Sequence, residues 1–306
     1  MKSKKIVVLG STNTDMVVKS ARIPAPGETI LGGNFFMNAG GKGANQAVAA
    51  ARLGGNVTFI AKTGNDLFGR QALELFKNEG INCNCLFVDE TTPSGVALIT
   101  IDAKGENCIV VASGANNNLT ADEVLSAGAE FETADVVLMQ LETPIDTVVR
   151  TAEASFLLGK KVILNPAPAC ALPAELFKYL YLITPNETEV EILTGVVVTD
   201  TTSATKAAME LQKMGVQHVI ITMGSQGAFL YSDGKGQLIP SQKVEAIDTT
   251  AAGDTFNGAL AVAIAEGKSL TEAVAFGNKA AAISVTRLGA QSSVPYLHEL
   301  INQLTN

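Results

Sequence analysis

The chain has 306 residues, 47% of them hydrophobic and 17% charged, with a formal net charge of -8. That is enough apolar material for a large buried core and points to a soluble, enzyme-sized unit. A sequence pI near 4.9 argues against a nucleic-acid or anionic-membrane surface, which would need a basic face, yet a nucleoside triphosphate stays compatible, because amides, helix ends and metal ions neutralise it locally.

Met1-Lys-Ser-Lys-Lys5 leads into Ile6-Val-Val-Leu9, an apolar run too short for a signal peptide and cut off by Gly10-Ser-Thr-Asn. It reads as a buried first strand. No apolar stretch approaches the roughly 20 residues of a membrane helix. Apolar, β-branched runs recur at 57–61, 136–139, 162–164, 180–184 and 219–222. They are nearly continuous, as in parallel strands covered on both faces. Helical patterns fall at 44–53, 68–78, 146–158, 187–194, 202–213, 255–266, 270–285 and 296–304. Gly80, Gly159, Gly195, Gly215 and Gly267 sit just past helix ends as C-caps. This alternation predicts the α/β class, a doubly wound α/β/α sandwich with a mainly parallel central sheet. No linker divides the chain, so one domain over 1–306 is expected.

Two stretches break the rhythm. Residues 15–38 carry strand-like Met16-Val-Val-Lys and Glu28–Phe36, separated by Pro24 and Pro26, and residues 95–111 read as a hairpin. Having no partner in the parallel core, these strands predict a small separate sheet. The cysteines Cys83, Cys85, Cys108 and Cys170 fit no zinc spacing and read as free thiols in a reducing cytoplasm. His218 and His298 leave little material for histidine triads or metal sites and read as structural or exposed.

Residues 248–260 read Asp-Thr-Thr-Ala-Ala-Gly-Asp-Thr-Phe-Asn-Gly-Ala-Leu. Small residues from Thr249 to Gly253 can turn tightly with several N–H groups pointing one way, and the helix starting near Asp254 adds its positive dipole end. Such a turn binds an anion without a basic side chain, with Ala251, Ala252 and Gly253 as amide donors. A carboxylate there would repel that anion, a paradox unless it has a chemical task. Asp254 suits the base that takes a proton from a hydroxyl attacking phosphorus. The plainer alternative is an N-cap aspartate on a buried helix. A second glycine-rich segment, Ala39-Gly-Gly-Lys-Gly-Ala-Asn-Gln-Ala-Val48, opens a helix of small residues. It is not a Walker P-loop, since Gly43 follows Lys42, nor a dinucleotide fingerprint, since the third glycine is missing.

With Gly10-Ser-Thr-Asn-Thr-Asp15, Pro26-Gly-Glu-Thr29 and Thr184-Pro-Asn-Glu-Thr-Glu189, these segments resemble the signature motifs of the ribokinase-like (PfkB) family of carbohydrate and nucleoside kinases. The likeness covers essentially the whole chain, and Met139-Gln-Leu-Glu142 and Asn165-Pro-Ala-Pro168 point to its ribose-phosphorylating branch. The resemblance implies phosphoryl transfer from ATP to the 5-hydroxyl of D-ribose, with Mg²⁺ and K⁺. The alternatives are another kinase of the family, for deoxyribose, fructose or a nucleoside, or a sugar-binding regulator without catalysis.

The same resemblance implies that Asn13, Thr14, Asp15, Gly41, Lys42, Gly43, Ala44, Asn45 and Glu142 hold the sugar beside Asp254. Asn186, Thr222, Met223, Gly224, Ser225, Gln226, Gly227, Gly253, Asp254 and Asn278 would face the nucleotide, with Glu189 on magnesium through water. Asp248, Thr250, Ser284, Arg287, Gly289 and Ser293 would hold a monovalent cation, mostly by carbonyl oxygens, while the Arg287 side chain points away. Plainer roles exist for two of these groups: a Pro-initiated helix with an acidic first turn for Asn186 and Glu189, and a turn residue for Asp248. In the family, segments such as 15–38 and 95–111 form a β-lid over the sugar, and two lids pair in a homodimer. The expected partners are therefore a small sugar, ATP and a second copy of the chain, without nucleic acid or membrane.

Overall fold

The computed structural model describes residues 5–302, so the expected helical residues 303–304 lie outside the described residues. The strands in chain order are β1 (Lys5–Leu9), β2 (Asn13–Lys19), β3 (Asn34–Gly40), β4 (Asn56–Gly64), β5 (Leu86–Asp89), β6 (Gly95–Ile101), β7 (Asn107–Ala112), β8 (Val136–Met139), β9 (Lys161–Leu164), β10 (Leu182–Ile183), β11 (His218–Thr222), β12 (Ala228–Ser232) and β13 (Lys235–Ile239). The α-helices are α1 (Lys42–Arg52), α2 (Leu67–Asn78), α3 (Ala121–Ser126), α4 (Gly128–Thr133), α5 (Ile145–Leu157), α6 (Ala174–Phe177), α7 (Glu187–Thr194), α8 (Thr201–Met214), α9 (Ala252–Ala265), α10 (Leu270–Ser284) and α11 (Leu297–Asn302).

The large sheet runs β13-β12-β11-β10-β9-β8-β1-β4-β5. Every pair from β11 to β5 is parallel, and β12 and β13 extend it as antiparallel strands. Alternate residues of a strand point to opposite faces, and both faces are covered. Ile6 and Val8 of β1 join a core with Ala47 and Val48 of α1 and Leu260 of α9. Val7 and Leu9 join the opposite core with Val148 of α5 and Leu211 of α8. The doubly wound sandwich is thus the observed architecture. Helices α1 and α9 cross closely because both are small-residue helices: an ideal Cβ on Gly258 would lie 2.6 Å from the Ala49 Cβ. That close crossing helps bring residues near the N-terminal ends of the two helices together.

A separate four-stranded sheet runs β3-β2-β6-β7, with β2 and β6 parallel and the outer pairs antiparallel. All residues of β7 are exposed. Strand β3 starts at Asn34 rather than Glu28, because Gly32 and Gly33 adopt φ of 102° and 111°, outside the strand region. The expected strand at 180–184 shrinks to Leu182–Ile183, and β5, the β12–β13 hairpin and the short helices α3, α4 and α6 were not anticipated. These helices span six residues or fewer, too few for apolar periodicity to register, and β5, β12 and β13 lack the β-branched runs that mark β1, β8 and β9. The four cysteines are free thiols. His218 is buried edge-on to Tyr181 at 4.8 Å, with Nδ1 2.9 Å from the Ser232 hydroxyl, a structural role. Among the described residues no helix is long and apolar enough to cross a membrane.

Candidate active site

Strand β1 pairs with β4 on one side and β8 on the other, so the strand order reverses there and a crevice opens past the C-terminal ends of β1 and β8. Glycines let α1 pass over the end of β1: an ideal Cβ on Gly43 would lie 2.6 Å from the Gly10 Cα. Gly41, with φ 88°, precedes α1 and supplies no side-chain cap. Glu142, beyond β8, takes that place. Its Oε2 accepts from the Lys42 N–H at 3.0 Å and from the Ser11 hydroxyl, a carboxylate at the positive end of the helix. Ala44 turns away from the crevice. Its N–H donates to the Ser11 carbonyl at 2.8 Å and its side chain is core, so neither faces a sugar as the sequence reading expected.

The small sheet contributes Asn13, Thr14 and Asp15 from β2. The Asn13 Oδ1 accepts from Asn116 Nδ2 at 2.8 Å, and Asn116 also brackets the Thr12 backbone by accepting its N–H and donating to its carbonyl. Thr14 is half-buried in the ladder between Ala39 and Val96. Asp15 lies against Gly40 of β3, where a Cβ would collide with both carboxylate oxygens. Burial, then the charge of Glu142, then that of Asp254 push the Asp15 pKa up to about 6.

Helix α9 starts after Ala251, a non-glycine residue at φ 58°. The Ala252 N–H donates to the Thr249 carbonyl at 3.2 Å and closes the turn. That amide is engaged within the loop, which corrects the expectation that it faces the phosphoryl group. Among the described residues the Gly253 and Asp254 N–H groups donate to no backbone acceptor. The buried Asp254 carboxylate accepts from Asn45 Nδ2 on Oδ2 and from Gln46 Nε2 on Oδ1, both at 2.9 Å. Burial raises its pKa against the opposing pull of Lys42, Asn45 and Gln46, while the Glu142 charge adds to the rise. Burial alone would lower the Lys42 pKa, but Asp254, Glu142 and Glu189 outweigh it and the net shift is upward.

A cavity of about 220 Å³ is lined by Lys42, Asn165, Thr184, Asn186, Glu189, Thr222, Thr249 and the 251–254 turn. A second of about 220 Å³ is lined by Asn13, Asn116, Glu142, Thr143 and Pro168 among others. Asn186 and Glu189 form a capping box at the start of α7: Asn186 Oδ1 accepts from the Glu189 N–H at 2.8 Å, and Glu189 Oε2 accepts from the Asn186 N–H at 2.9 Å. The plainer role is therefore real, and both residues line the Asp254 cavity as well. Burial raises the Glu189 pKa, Asn186 and Lys42 oppose it, and Asp254 adds to it.

The 222–227 turn hangs from β11, with the Met223 N–H donating to the Gly227 carbonyl at 2.8 Å. Gly224, Ser225 and Gln226 are exposed, Thr222 lines the cavity, and Met223 is buried in the core. Its side chain is no ligand contact. Asn278 donates from Nδ2 to the Ile239 carbonyl at 2.8 Å and fastens α10 to the end of β13.

Asp248 staples two loops, since its Oδ1 accepts from the Thr250 N–H at 2.9 Å and its Oδ2 from the Gly289 N–H at 2.8 Å. Burial acts to raise its pKa, but these donors outweigh it and hold it below the usual carboxylate value. The Ser284 and Ser293 hydroxyls donate to the Ala281 and Ala290 carbonyls, and the Arg287 guanidinium pairs with Glu299. What remains for a cation is a carboxylate and backbone carbonyl oxygens, a hard donor set that fits an alkali ion.

Residues 3–297 match the model of the pfkB family of carbohydrate kinases. The chain belongs to the PfkB family. It is similar to a ribokinase of Haemophilus influenzae, 48% identical over 98% of both chains. It is also similar to a deoxyribokinase of Salmonella typhi, 35% identical over 98% of both chains. A solved structure of Arabidopsis thaliana ribokinase complexed with ribose and ATP superposes with a TM-score of 0.93, at 32% identity over 99% of each chain. The PfkB fold, a large mostly parallel sheet with a smaller separate one, is shared with that structure and with a solved ribokinase of Thermotoga maritima, which superposes with a TM-score of 0.91 at 40% identity over 99% of each chain.

Gln46, Asn116, Asn165 and Asn257 were missed by the sequence reading. The signal for Gln46 is its setting: a polar residue among Ala44, Ala47, Val48 and Ala49 on a buried helix needs a buried partner.

Proposed function

We propose that the protein transfers the γ-phosphoryl group of ATP to the 5-hydroxyl of D-ribose, giving ribose 5-phosphate and ADP. One observation carries the reading. The buried Asp254 carboxylate is held by two amides of α1 at the point where the Gly253 and Asp254 N–H groups of α9 are open. A base and anion donors at one point are what an in-line attack of a hydroxyl on phosphorus needs.

Asp254 takes the proton of the 5-hydroxyl as its oxygen attacks phosphorus and the bond to the leaving ADP oxygen breaks. The Gly253 and Asp254 amides, with the cationic Lys42, stabilise the charge that develops. Asn13, Asp15, Asn45 and Glu142 orient the sugar, and Gly41 and Gly43 permit close backbone approach. Thr222 and the 224–227 turn face the nucleotide, while Asn278 supports that side by holding β13. Asn186 and Glu189 would hold Mg²⁺ through water. When bound, that ion neutralises phosphate charge. Asp248 with the carbonyl oxygens of Thr250, Ser284, Arg287, Gly289 and Ser293 would hold K⁺, tying the 248–254 turn to the 284–293 loop.

In this reading the chain is one cytoplasmic catalytic domain with the small sheet as its lid. Phe35 and Val110 are 60% and 63% exposed on that sheet, apolar surface that suits pairing with a second lid in a homodimer. The relatives named above support the reaction, and the deoxyribokinase keeps 2-deoxyribose as the runner-up substrate.

The test is ADP release with ribose, 2-deoxyribose, fructose and adenosine as acceptors. Ribose should give the highest kcat/KM, and a higher value for any of the others would replace it as the substrate. At constant ionic strength K⁺ should support a faster rate than Li⁺, and Asp248→Ala should narrow the gap. Equal rates in the two salts would remove the cation site.

A further inference from the structure

We propose that Thr184 anchors a one-way relay of side-chain amides that aims the Asp254 carboxylate, with Gln46 as the positioning residue. The inference rests on Asp254 being the base. A primary amide offers an acceptor on one side and donors on the other, so its orientation must be set by a neighbour that can only accept or only donate. The Thr184 carbonyl can only accept. Asn165 Nδ2 donates to it at 3.2 Å, which turns Asn165 Oδ1 toward Gln46. Gln46 must therefore present its NH₂, and its Nε2 donates to Asn165 Oδ1 at 3.0 Å and to Asp254 Oδ1 at 2.9 Å. Gln46 Oε1 accepts from Gln140 Nε2 at 2.6 Å, which agrees with that orientation.

A second arm leaves the same residue. The Gly253 carbonyl can only accept, and Asn257 Nδ2 donates to it at 2.8 Å. Asn257 Oδ1 therefore faces Thr184, whose hydroxyl donates to it at 2.6 Å. Gln46, Asn165, Thr184, Asn257 and Asp254 are all at most 6% exposed, so bulk water competes little for these bonds even though Asn165, Thr184, Asn257 and Asp254 also border the cavity. Both the carboxylate of residue 254 and the turn before it thus hang from Thr184, two residues ahead of Asn186 at the start of α7. The relay holds Asp254 as an acceptor, the form that can take a proton from a substrate hydroxyl.

Other charged groups also act on Asp254: Lys42 from α1, Glu142 from the loop after β8, Asp15 from β2 and Glu189 from α7. None of them is changed by the variants below. Gln46→Met keeps the side-chain length and removes the donor. We expect kcat at neutral pH to fall roughly 10- to 100-fold through misplacement of the base. KM for ribose and ATP should stay within about threefold, and the acid limb of the kcat profile should move up by roughly one pH unit as a bond favouring the carboxylate is lost. Asn165→Leu, which has no bond to Asp254, should shift rate and limb in the same direction by roughly a third as much on the same argument. It also decides the matter alone if Gln46→Met does not fold.

The relay is overturned if the folded variants keep wild-type kcat and limb, or lose rate equally at every pH, as a packing defect would. Asp254→Asn separates the two ideas. If that variant stays active the base assignment is wrong. If it is inactive while Gln46→Met and Asn165→Leu behave as wild type, only the relay is wrong.

Discussion

The two sheets are built on different terms. Strands β1 and β8 of the large sheet carry Ile6, Val7, Val8, Leu9 and Val136 to Met139, all fully buried between two cores. In the small sheet β7 is exposed along its whole length and Phe35 of β3 is 60% exposed. The site inherits this difference. Asp254, on the large-sheet side, has both oxygens satisfied by Asn45 and Gln46. Asp15, on the small sheet, accepts no hydrogen bond among the described residues, and its pKa is pushed up to about 6 by burial and neighbouring carboxylates. One carboxylate is preorganised, and the other waits for donors that sugar hydroxyls can supply.

Breaking the preorganised side should have the largest effect. Asp254→Asn is nearly isosteric, so sugar and nucleotide affinities should stay within a few-fold while kcat drops roughly 10²- to 10⁴-fold, the range for a lost general base. Steady-state kinetics beside calorimetric binding would check it, and retention of more than about a tenth of kcat would remove Asp254 from that role.

Packing gives the next contrast. Phe59 is fully buried edge-on to Phe76 at 5.1 Å, so Phe59→Ala should destabilise by about 3–5 kcal/mol. Phe35→Ala on the exposed face should stay within about 0.5 kcal/mol in urea unfolding of the dissociated monomer. Similar losses at both sites would show that the small sheet is as well covered as the large one.

The smallest effect is on pH. Because the Asp15 pKa is raised above its ordinary 3.8 to about 6 in the free protein, kcat/KM for the sugar should fall about tenfold per unit below pH 6, as the acceptor is protonated. The sign for stability is opposite. A raised carboxylate pKa means the folded state binds the proton more tightly, so this group's contribution to stability declines as pH rises from about 4 to about 6. A flat kcat/KM profile between pH 5 and pH 7 would contradict the raised pKa.

The sequence revealed what is encoded locally. Continuous apolar runs announced β1, β8 and β9, and the small residues of 249–254 announced a turn entering a helix. The amide relay was not legible, because the orientation of Gln46, Asn165 and Asn257 depends on partners up to 208 residues away. Ala44 was misread for a similar reason. It sits in a motif whose neighbours face the crevice, yet the helical turn carries its side chain into the core. Asn116 lies within Asn116-Asn117-Asn118 in a 3₁₀ turn over Gly114–Asn118, and nothing in that run marks which of its amides reaches back to Asn13.

The central claim is that ribose is recognised by both sheets at once, the fixed side supplying the base and the small sheet supplying Asn13 and Asp15. The direct measurement is kcat/KM for ribose and 2-deoxyribose with wild type and Asp15→Ala. An unpaired buried polar group costs about 1–3 kcal/mol, so wild type should prefer ribose by roughly 5- to 150-fold. Asp15→Ala should weaken ribose strongly and bring the two sugars close together. Undiminished preference for ribose in Asp15→Ala would contradict the account and move specificity to Glu142 and Asn45.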